Sequence, residues 1–200
     1  MNAFEKSLLE GIGEDSFRKV SSARIGIAGS GGLGSNCAVN LVRCGFRSFR
    51  IIDLDRVEHS NLNRQFFFID QVGMEKVKAL EANLRRINPD IELEAVTGQL
   101  KPGHARRFFS GCDIVVEALD NAEAKSMLVG ELLPSGKFIV SVSGIGGYGS
   151  SDDIRIMKIK ENLVMIGDQV SDTDSRPPFS PRVNIAAAKQ ADVILKHVIG

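Results

Sequence analysis

The sequence predicts an α/β fold in which a doubly wound, mainly parallel sheet carries helices on both faces, and three observations point there. Short apolar runs alternate with segments of helical periodicity. A glycine-rich stretch, Gly29-Ser30-Gly31-Gly32-Leu33-Gly34, falls between the first apolar run and the first helical segment. An acidic residue, Asp53, ends the second run, roughly 20 residues further on.

Arg24–Ala28 is apolar and closed by glycines, which makes it the first strand, and residues 33–44 read as a helix stopped by Gly45. Residues 49–54 form the second strand. Met74, Val77, Leu80, Leu84 and Ile87 recur three or four apart, so they share one face of a helix that Asn88-Pro89 ends. A weaker strand at 91–97, a short helix at 104–109, a strand at 113–118, a helix at 122–133 and a fifth strand at 137–142 follow. This alternation implies right-handed crossovers and a Rossmann-like sheet. After Ser143 the pattern changes. Residues 144–149 are glycine-rich, 154–159 and 163–166 form a two-strand excursion, and 168–181 read as a polar, proline-bearing mobile loop. An alanine-rich helix at 185–199 closes the chain, whose 200 residues are expected to form a single domain with this C-terminal crossover and antiparallel extension.

Lysine and arginine number 25, as do aspartate and glutamate, so the basic field of a nucleic-acid binder is missing and no nucleic-acid partner is expected. Cys37, Cys44 and Cys112 are scattered, with no C-x-x-C pair and no histidine cluster, which argues against a disulfide framework and against zinc. Glu5, Lys6, Glu10, Glu14 and Asp15 interrupt the first 20 residues, and no apolar run reaches membrane-spanning length. A cytoplasmic protein without membrane contact is the expectation.

A glycine turn between strand and helix points backbone N–H groups at phosphate oxygens and lets a ligand approach closely. With Asp53 placed to hold ribose hydroxyls, Gly29, Gly31, Gly32, Leu33 and Gly34 form a nucleotide-binding turn. That turn alone favours a dinucleotide and hydride transfer. The next stretch redirects it. Ile52-Asp53-Leu54-Asp55-Arg56-Val57-Glu58-His59-Ser60-Asn61-Leu62-Asn63-Arg64-Gln65 is polar where a dehydrogenase would start its next helix, and Gly73 and Lys76 follow. The chain has no G-x-x-x-x-G-K-[ST], so positive charge for phosphates must come from elsewhere, and Arg64 and Lys76 are the candidates.

Together with Asp120, this series resembles the ThiF and MoeB adenylyltransferases, the bacterial form of the ubiquitin-activating superfamily. The hexapeptide at 60–65 is its most specific element. The resemblance runs from about Arg24 to the closing helix, with Ser180-Pro181-Arg182 leading into that helix. It implies an enzyme that uses ATP and Mg2+ to adenylate the C-terminal glycine carboxylate of a small ubiquitin-like sulfur carrier ending in Gly-Gly. By resemblance Arg64 and Lys76 contact the triphosphate, Asn61 and Gln65 assist, Asp53 holds the ribose, Asp120 holds magnesium and Asp55 stands on the phosphate side. Homodimerisation is implied as well. The compact length looks most like the short ThiF branch of thiamine (thiazole) biosynthesis. Longer relatives carry two C-x-x-C zinc pairs, absent here, and some carry a sulfur-transfer cysteine in the crossover loop, where residues 150–181 hold none. An arginine sent in by a partner subunit has no clear match, although Arg18 lies in roughly the right region.

Each residue also has a plain alternative: Asp53 and Asp55 as turn caps, Lys76 as a solvated helix residue, Asp120-Asn121 as the cap of the next helix. The cysteines read as small apolar fillers, His59 as a neighbour of the site, His104 and His197 as solvated or structural, and Phe66-Phe67-Phe68 as core or subunit interface, with the interface favoured. Two other functions stay open: a non-catalytic carrier-binding subunit of the same superfamily, and an NAD-dependent dehydrogenase.

Overall fold

A computed structural model describes residues 1–173 and 175–200. Its one sheet contains β1 (Arg24–Ala28), β2 (Ser48–Asp53), β3 (Glu92–Thr97), β4 (Ile114–Glu117), β5 (Phe138–Val142), β6 (Arg155–Lys160) and β7 (Leu163–Gly167) in the order β3-β2-β1-β4-β5-β7-β6. All neighbours are parallel except β6 and β7. Every residue of β4 and β5 is buried, as befits parallel strands covered on both faces. Helices α1 (Ala3–Ile12) and α2 (Glu14–Ser22) precede the sheet; α3 (Gly32–Arg43), α4 (Lys76–Arg85), α5 (Ala105–Phe108), α6 (Ala122–Leu132) and α7 (Ser180–Ile199) alternate with its strands.

The two faces hold separate cores. Ile25, Ile27, Ile51 and Val140 meet Leu41 of α3, Leu80 of α4 and Ile194 of α7 on one side. Ala28, Val115 and Ile139 meet Phe109, Leu128 and Leu132 on the other. Ala186, Ala187 and Ala191 are buried on α7, and their small side chains let it lie close to α3. Because β2 and β3 lie to one side of β1 while β4 and β5 lie to the other, the chain reverses direction across the sheet between β1 and β4. Loops leaving the carboxyl ends of those two strands diverge there, opening the crevice where sheets of this kind bind ligands.

Two elements depart from the sequence expectation. The sequence reading assigns no element before Arg24, where α1 and α2 form, and the fully buried residue of α1 is Glu5, which forms a capping box with Asn2. Helix α7 begins at Ser180 rather than 185, because Pro181 suits a first turn and the polar Arg182 is buried there, its Nη2 2.5 Å from Asp168 Oδ2. Asp174, inside the expected 168–181 loop, lies outside the described residues. No helix among the described residues is long and apolar enough to cross a membrane.

Candidate active site

The glycine turn leaves β1 with Gly29, whose N–H donates to Ile52 O of β2 (2.9 Å). Gly29 has φ +92°, and a Cβ there would stand 2.5 Å from Ala118 O; one on Gly34 would stand 1.9 Å from Gly29 O. These two glycines let the turn close on itself and against the end of β4. At Gly32 a Cβ would press on Val183 of α7 at 2.9 Å, whereas at Gly31 the nearest atom would be Gln65 Nε2 at 3.8 Å. Leu33 points into the core. Helix α3 starts at Gly31 without a side-chain cap, so its first-turn N–H groups remain open to an anion. Asp53 braces the turn: Oδ2 accepts from Ser30 N (2.6 Å) and Ser30 Oγ (2.9 Å), and Oδ1 accepts from Asp55 N (2.8 Å).

Beside this turn lies a polar cavity of about 240 Å³, lined by Asp55, Arg56, Glu58, Asn61, Arg64, Gln65, Lys76 and Asp120. Six of these were singled out from sequence; Arg56 and Glu58 were not. The glycines and Asp53 do not line it. They adjoin it through Asp55, which donates to Asp53, and through Gln65, which faces Gly31.

Lys76 opens α4, is buried, and holds Asp55 Oδ2 at 2.7 Å. It is no solvated helix residue. A cation at the positive end of a helix opposes the macrodipole, so this position gains from an anion in front of it. Among the described residues Arg64 Nη1 donates only to neutral acceptors, Ser60 O (3.0 Å) and Asn63 Oδ1 (2.8 Å). Asn61 Oδ1 accepts from Glu58 N (3.0 Å), closing residues 58–61 into a tight turn. Gln65 is buried and, among the described residues, its Oε1 has no hydrogen-bond partner, a costly arrangement in a finished interior. Asp120 is exposed at the end of the β4 loop, and the cap of α6 is Asn121, whose Oδ1 accepts from Ala124 N (3.0 Å). The capping alternative therefore belongs to Asn121 and leaves the Asp120 carboxylate unengaged by the helix.

One buried network was not anticipated. Glu117, the last residue of β4, is wholly buried and accepts from Lys125 Nζ at 3.1 Å on both oxygens, from Ser141 Oγ at 2.6 Å and from Leu119 N at 2.8 Å. Lys125 also donates to Val142 O (3.1 Å). The knot ties the loop bearing Asp120 to α6 and β5. A glutamate ending an apolar run, with a lysine on the next helix, is its only sequence signal. On the far loop, burial acts against the Asp168 carboxylate, but Ser171, Val170 and Arg182 outweigh it and hold its pKa below the usual range.

The remaining candidates sort simply. Cys37 and Cys112 are buried and Cys44 half-buried, and burial pushes all three thiols up, which fits fillers. His59 is exposed in the tight turn, and His197 stacks on Phe138 with ring centroids 3.8 Å apart. Phe67 is core, whereas Phe68 is 44% exposed. Arg18 pairs with Asp15 at 2.6 Å on the surface of α2.

Asp55, Glu58 and Asp120 give the cavity carboxylates, yet among the described residues no group of three or more His, Cys, Asp or Glu is arranged to hold a metal ion alone. That donor set fits a hard cation shared with phosphate oxygens and water, which needs one or two carboxylates, and does not fit an all-protein cage.

Comparison with known proteins agrees with this geometry. A family model described as the ThiF family matches residues 5–187. The chain is 36% identical over 143 residues to "SUMO-activating enzyme subunit 2" of Dictyostelium discoideum, covering 70% of this chain and 22% of that protein. It is 32% identical over 155 residues to "tRNA threonylcarbamoyladenosine dehydratase 2" of Saccharomyces cerevisiae, covering 76% of this chain and 34% of that one. It thus spans between about a fifth and a third of these relatives. Among solved structures, the E. coli tRNA N6-threonylcarbamoyladenosine dehydratase TcdA, in complex with AMP, superposes with a TM-score of 0.88 at 21% identity, covering 96% of this chain and 93% of that one. The fold expectation is met.

Proposed function

This chain belongs to the ThiF family, and from that premise we propose that it uses ATP to adenylate the C-terminal carboxylate of a small ubiquitin-like protein, releasing pyrophosphate. The observation that carries the proposal is the cavity itself: Lys76 set at the positive end of a helix with an exposed Asp55 as its counter-ion, and Arg64 with no carboxylate partner among the described residues, both beside the uncapped start of α3. Each is a poor arrangement for an empty site and a good one for a triphosphate.

In this reading Asp53 takes the ribose hydroxyls, the start of α3 and Asn61 meet the inner phosphate, and Arg64, Gln65 and Lys76 hold the chain of phosphates in line. Asp55 tunes Lys76. Asp120, fixed by the Glu117 and Lys125 knot, supplies a carboxylate for Mg2+, which when bound neutralises charge on the phosphates. The incoming carboxylate oxygen bonds to the α-phosphorus, the bond to the bridging oxygen breaks, and its electron pair leaves with pyrophosphate. Residues 1–200 serve as one such unit. The finer reading is a sulfur carrier ending in Gly-Gly in thiazole formation, acted on by a homodimer whose contact includes Phe68. Relatives with names such as "Ubiquitin-like modifier-activating enzyme 5" support the class of partner.

Exchange of labelled pyrophosphate into ATP, stimulated by a Gly-Gly-ended carrier, tests the proposal. Intact ATP binding with no exchange across a panel of such carriers would reduce the chain to a binding subunit, and tighter binding of NAD than of ATP would return it to redox chemistry.

A second reading is favoured by the match to the yeast dehydratase and by the close superposition on TcdA. The same activation, applied to the carboxylate of a threonylcarbamoyl group on tRNA, would lead to loss of water. The absence of net charge weighs against a tRNA substrate. Running the exchange assay with modified tRNA in place of the carrier separates the two.

A further inference from the structure

The segments after β5 and β7 read from composition as a glycine run and a mobile polar loop, yet the structure pins them to each other. Asp168 N donates to Gly144 O (3.0 Å), Gln169 N to Ser143 O (3.1 Å) and Gly147 N to Arg176 O (3.1 Å). The backbones lie so close that a Cβ on Gly144 would collide with Asp168 Oδ1, and one on Gly146 would stand 2.5 Å from Asp172 O. Asp168 Oδ1 also accepts from Val170 N (2.8 Å) and Ser171 N (2.7 Å).

One side chain closes this zipper. Arg182, in the first turn of α7 and 4% exposed, donates through Nη1 to Gly149 O (2.8 Å) and Ser150 O (3.0 Å) of one loop and through Nη2 to Asp168 Oδ2 (2.5 Å) of the other. Ser150 (φ +43°) and Gln169 (φ +60°) are the non-glycine residues with positive φ among the described residues. Both belong to this clamp, since the first accepts from Arg182 and the second follows Asp168. Such backbone is unfavourable and persists where its surroundings over-determine it, commonly at functional sites. A buried ion pair is a poor source of stability, because desolvation of both charges offsets their attraction. What the guanidinium fork supplies is fixed geometry.

The clamp also has a place in the reaction. Strands β1, β2, β4, β5 and β7 run parallel, so these loops share the carboxyl edge of the sheet with the glycine turn. Val183, next to Arg182, is the residue that a Cβ on Gly32 would press at 2.9 Å, so clamp and turn abut. In the adenylation reading Arg64 and Lys76 hold the departing pyrophosphate beside the loop that follows β2. In-line displacement then brings the carboxylate to the opposite side of the α-phosphorus, over β4, β5 and β7.

We propose that Arg182, through Asp168 and the carbonyls of Gly149 and Ser150, is a positioning residue for the incoming carboxylate, fixing the two loops as the wall along which the acceptor chain reaches the α-phosphate. The inference rests on the adenylation reading above and gives Arg182 no part in holding ATP.

Pyrophosphate exchange at varied concentrations of a Gly-Gly-ended carrier, with calorimetric titration of ATP, compares the parent with Arg182→Lys and Asp168→Asn. Arg182→Lys keeps the charge and loses the fork. Asp168→Asn keeps size and shape and loses the ion pair, so it retains the test if the lysine variant folds poorly. Both should lower kcat/KM for the carrier by roughly 10- to 100-fold, as for a misplacement of about 1 Å, while ATP affinity stays within about twofold. Amide hydrogen exchange at Gly147 and Gln169 should quicken in both, with the amides of β1 and α3 unchanged. Parental kcat/KM for the carrier in variants whose loops have loosened overturns the proposal. So does a loss of ATP affinity equal to the loss for carrier, because Arg182 would then brace the glycine turn through Val183. Unchanged amide exchange in both variants overturns it as well, since the clamp would not be what holds the loops. A parent that binds ATP yet exchanges with no such carrier refutes the adenylation reading, and this proposal with it.

Discussion

Two cavities at opposite ends of one sheet differ in a property that volume does not capture. The larger, about 410 Å³, lies at the amino ends of β1, β2 and β3 and is lined by Arg24, Arg50, Glu92, Glu94 and Cys112 among others. Its arginines are committed: Arg24 pairs with Asp113 at 3.2 Å, while Arg50 pairs with Glu94 at 2.6 Å and donates to Phe108 O at 2.5 Å. The smaller, at the carboxyl ends, keeps Arg64 on neutral acceptors, leaves Gln65 Oε1 without a donor and sets Lys76 against a helix dipole. A ligand entering the first must displace existing pairs. An anion entering the second meets Arg64 without a carboxylate in its way and competes only with the exposed Asp55 for Lys76. Uncommitted positive charge, rather than size, marks the site.

The largest expected effect tests that contrast at Asp120. Asp120→Ala should lower magnesium-dependent pyrophosphate exchange on the order of a thousandfold, since the metal carries several kcal/mol of charge stabilisation. Its melting temperature should match the parent, because Asn121 and not Asp120 caps α6. Exchange at the parental rate would remove Asp120 from the site. Next comes Lys76→Met, expected to cost about a hundredfold in exchange, as for the loss of one preorganised electrostatic donor. Because the lysine is buried at the positive end of α4 and its partner Asp55 is 56% exposed, the variant should melt no lower than the parent. A large drop in melting temperature would mean the Lys76 and Asp55 pair exists for stability.

Legibility in the sequence follows the same division. The strands of the sheet and the site hexapeptide announce themselves locally: apolar runs such as Ile114–Glu117, and polar residues 55–65 that fold back within a few positions. What escapes notice depends on partners far along the chain. Glu5 is buried because Arg47 reaches it at 3.2 Å and Asn88 donates to it at 3.2 Å, so the core residue of α1 is an acid where periodicity looks for an aliphatic. Glu117 relies on Ser141, and Arg182 on Asp168. Gly29 and Gly34 add a local requirement of another kind, since the turn's own packing demands them before any ligand is considered.

If the amino-edge cavity is closed business, emptying it of charge should change stability and nothing else. Arg50→Ala removes the donor to Glu94 and to the Phe108 carbonyl and the cation that lies 5.5 Å from the Phe108 ring. A loss of about 1 kcal/mol in urea unfolding is expected, with ATP affinity within about twofold of the parent. A tenfold weakening of ATP would show that the two ends of the sheet communicate.

The smallest effect is expected at Asp113, where pH gives the sign. Burial acts to raise its carboxyl pKa, but hydrogen bonds and charge from Arg24 outweigh that and leave it below the usual value. A depressed carboxylate pKa stabilises the fold above the unfolded value near 4, and the benefit disappears as the pH falls through the folded value. Asp113→Asn should therefore melt about 1–2 °C below the parent at pH 7 and converge on it toward pH 2, the size being small because both partners are about half exposed to solvent. Concentrated salt at pH 7 should close most of the gap. A difference that stays constant from pH 7 to pH 2 would assign the effect to the neutral hydrogen bond from Arg24 N at 3.0 Å instead of to the ion pair.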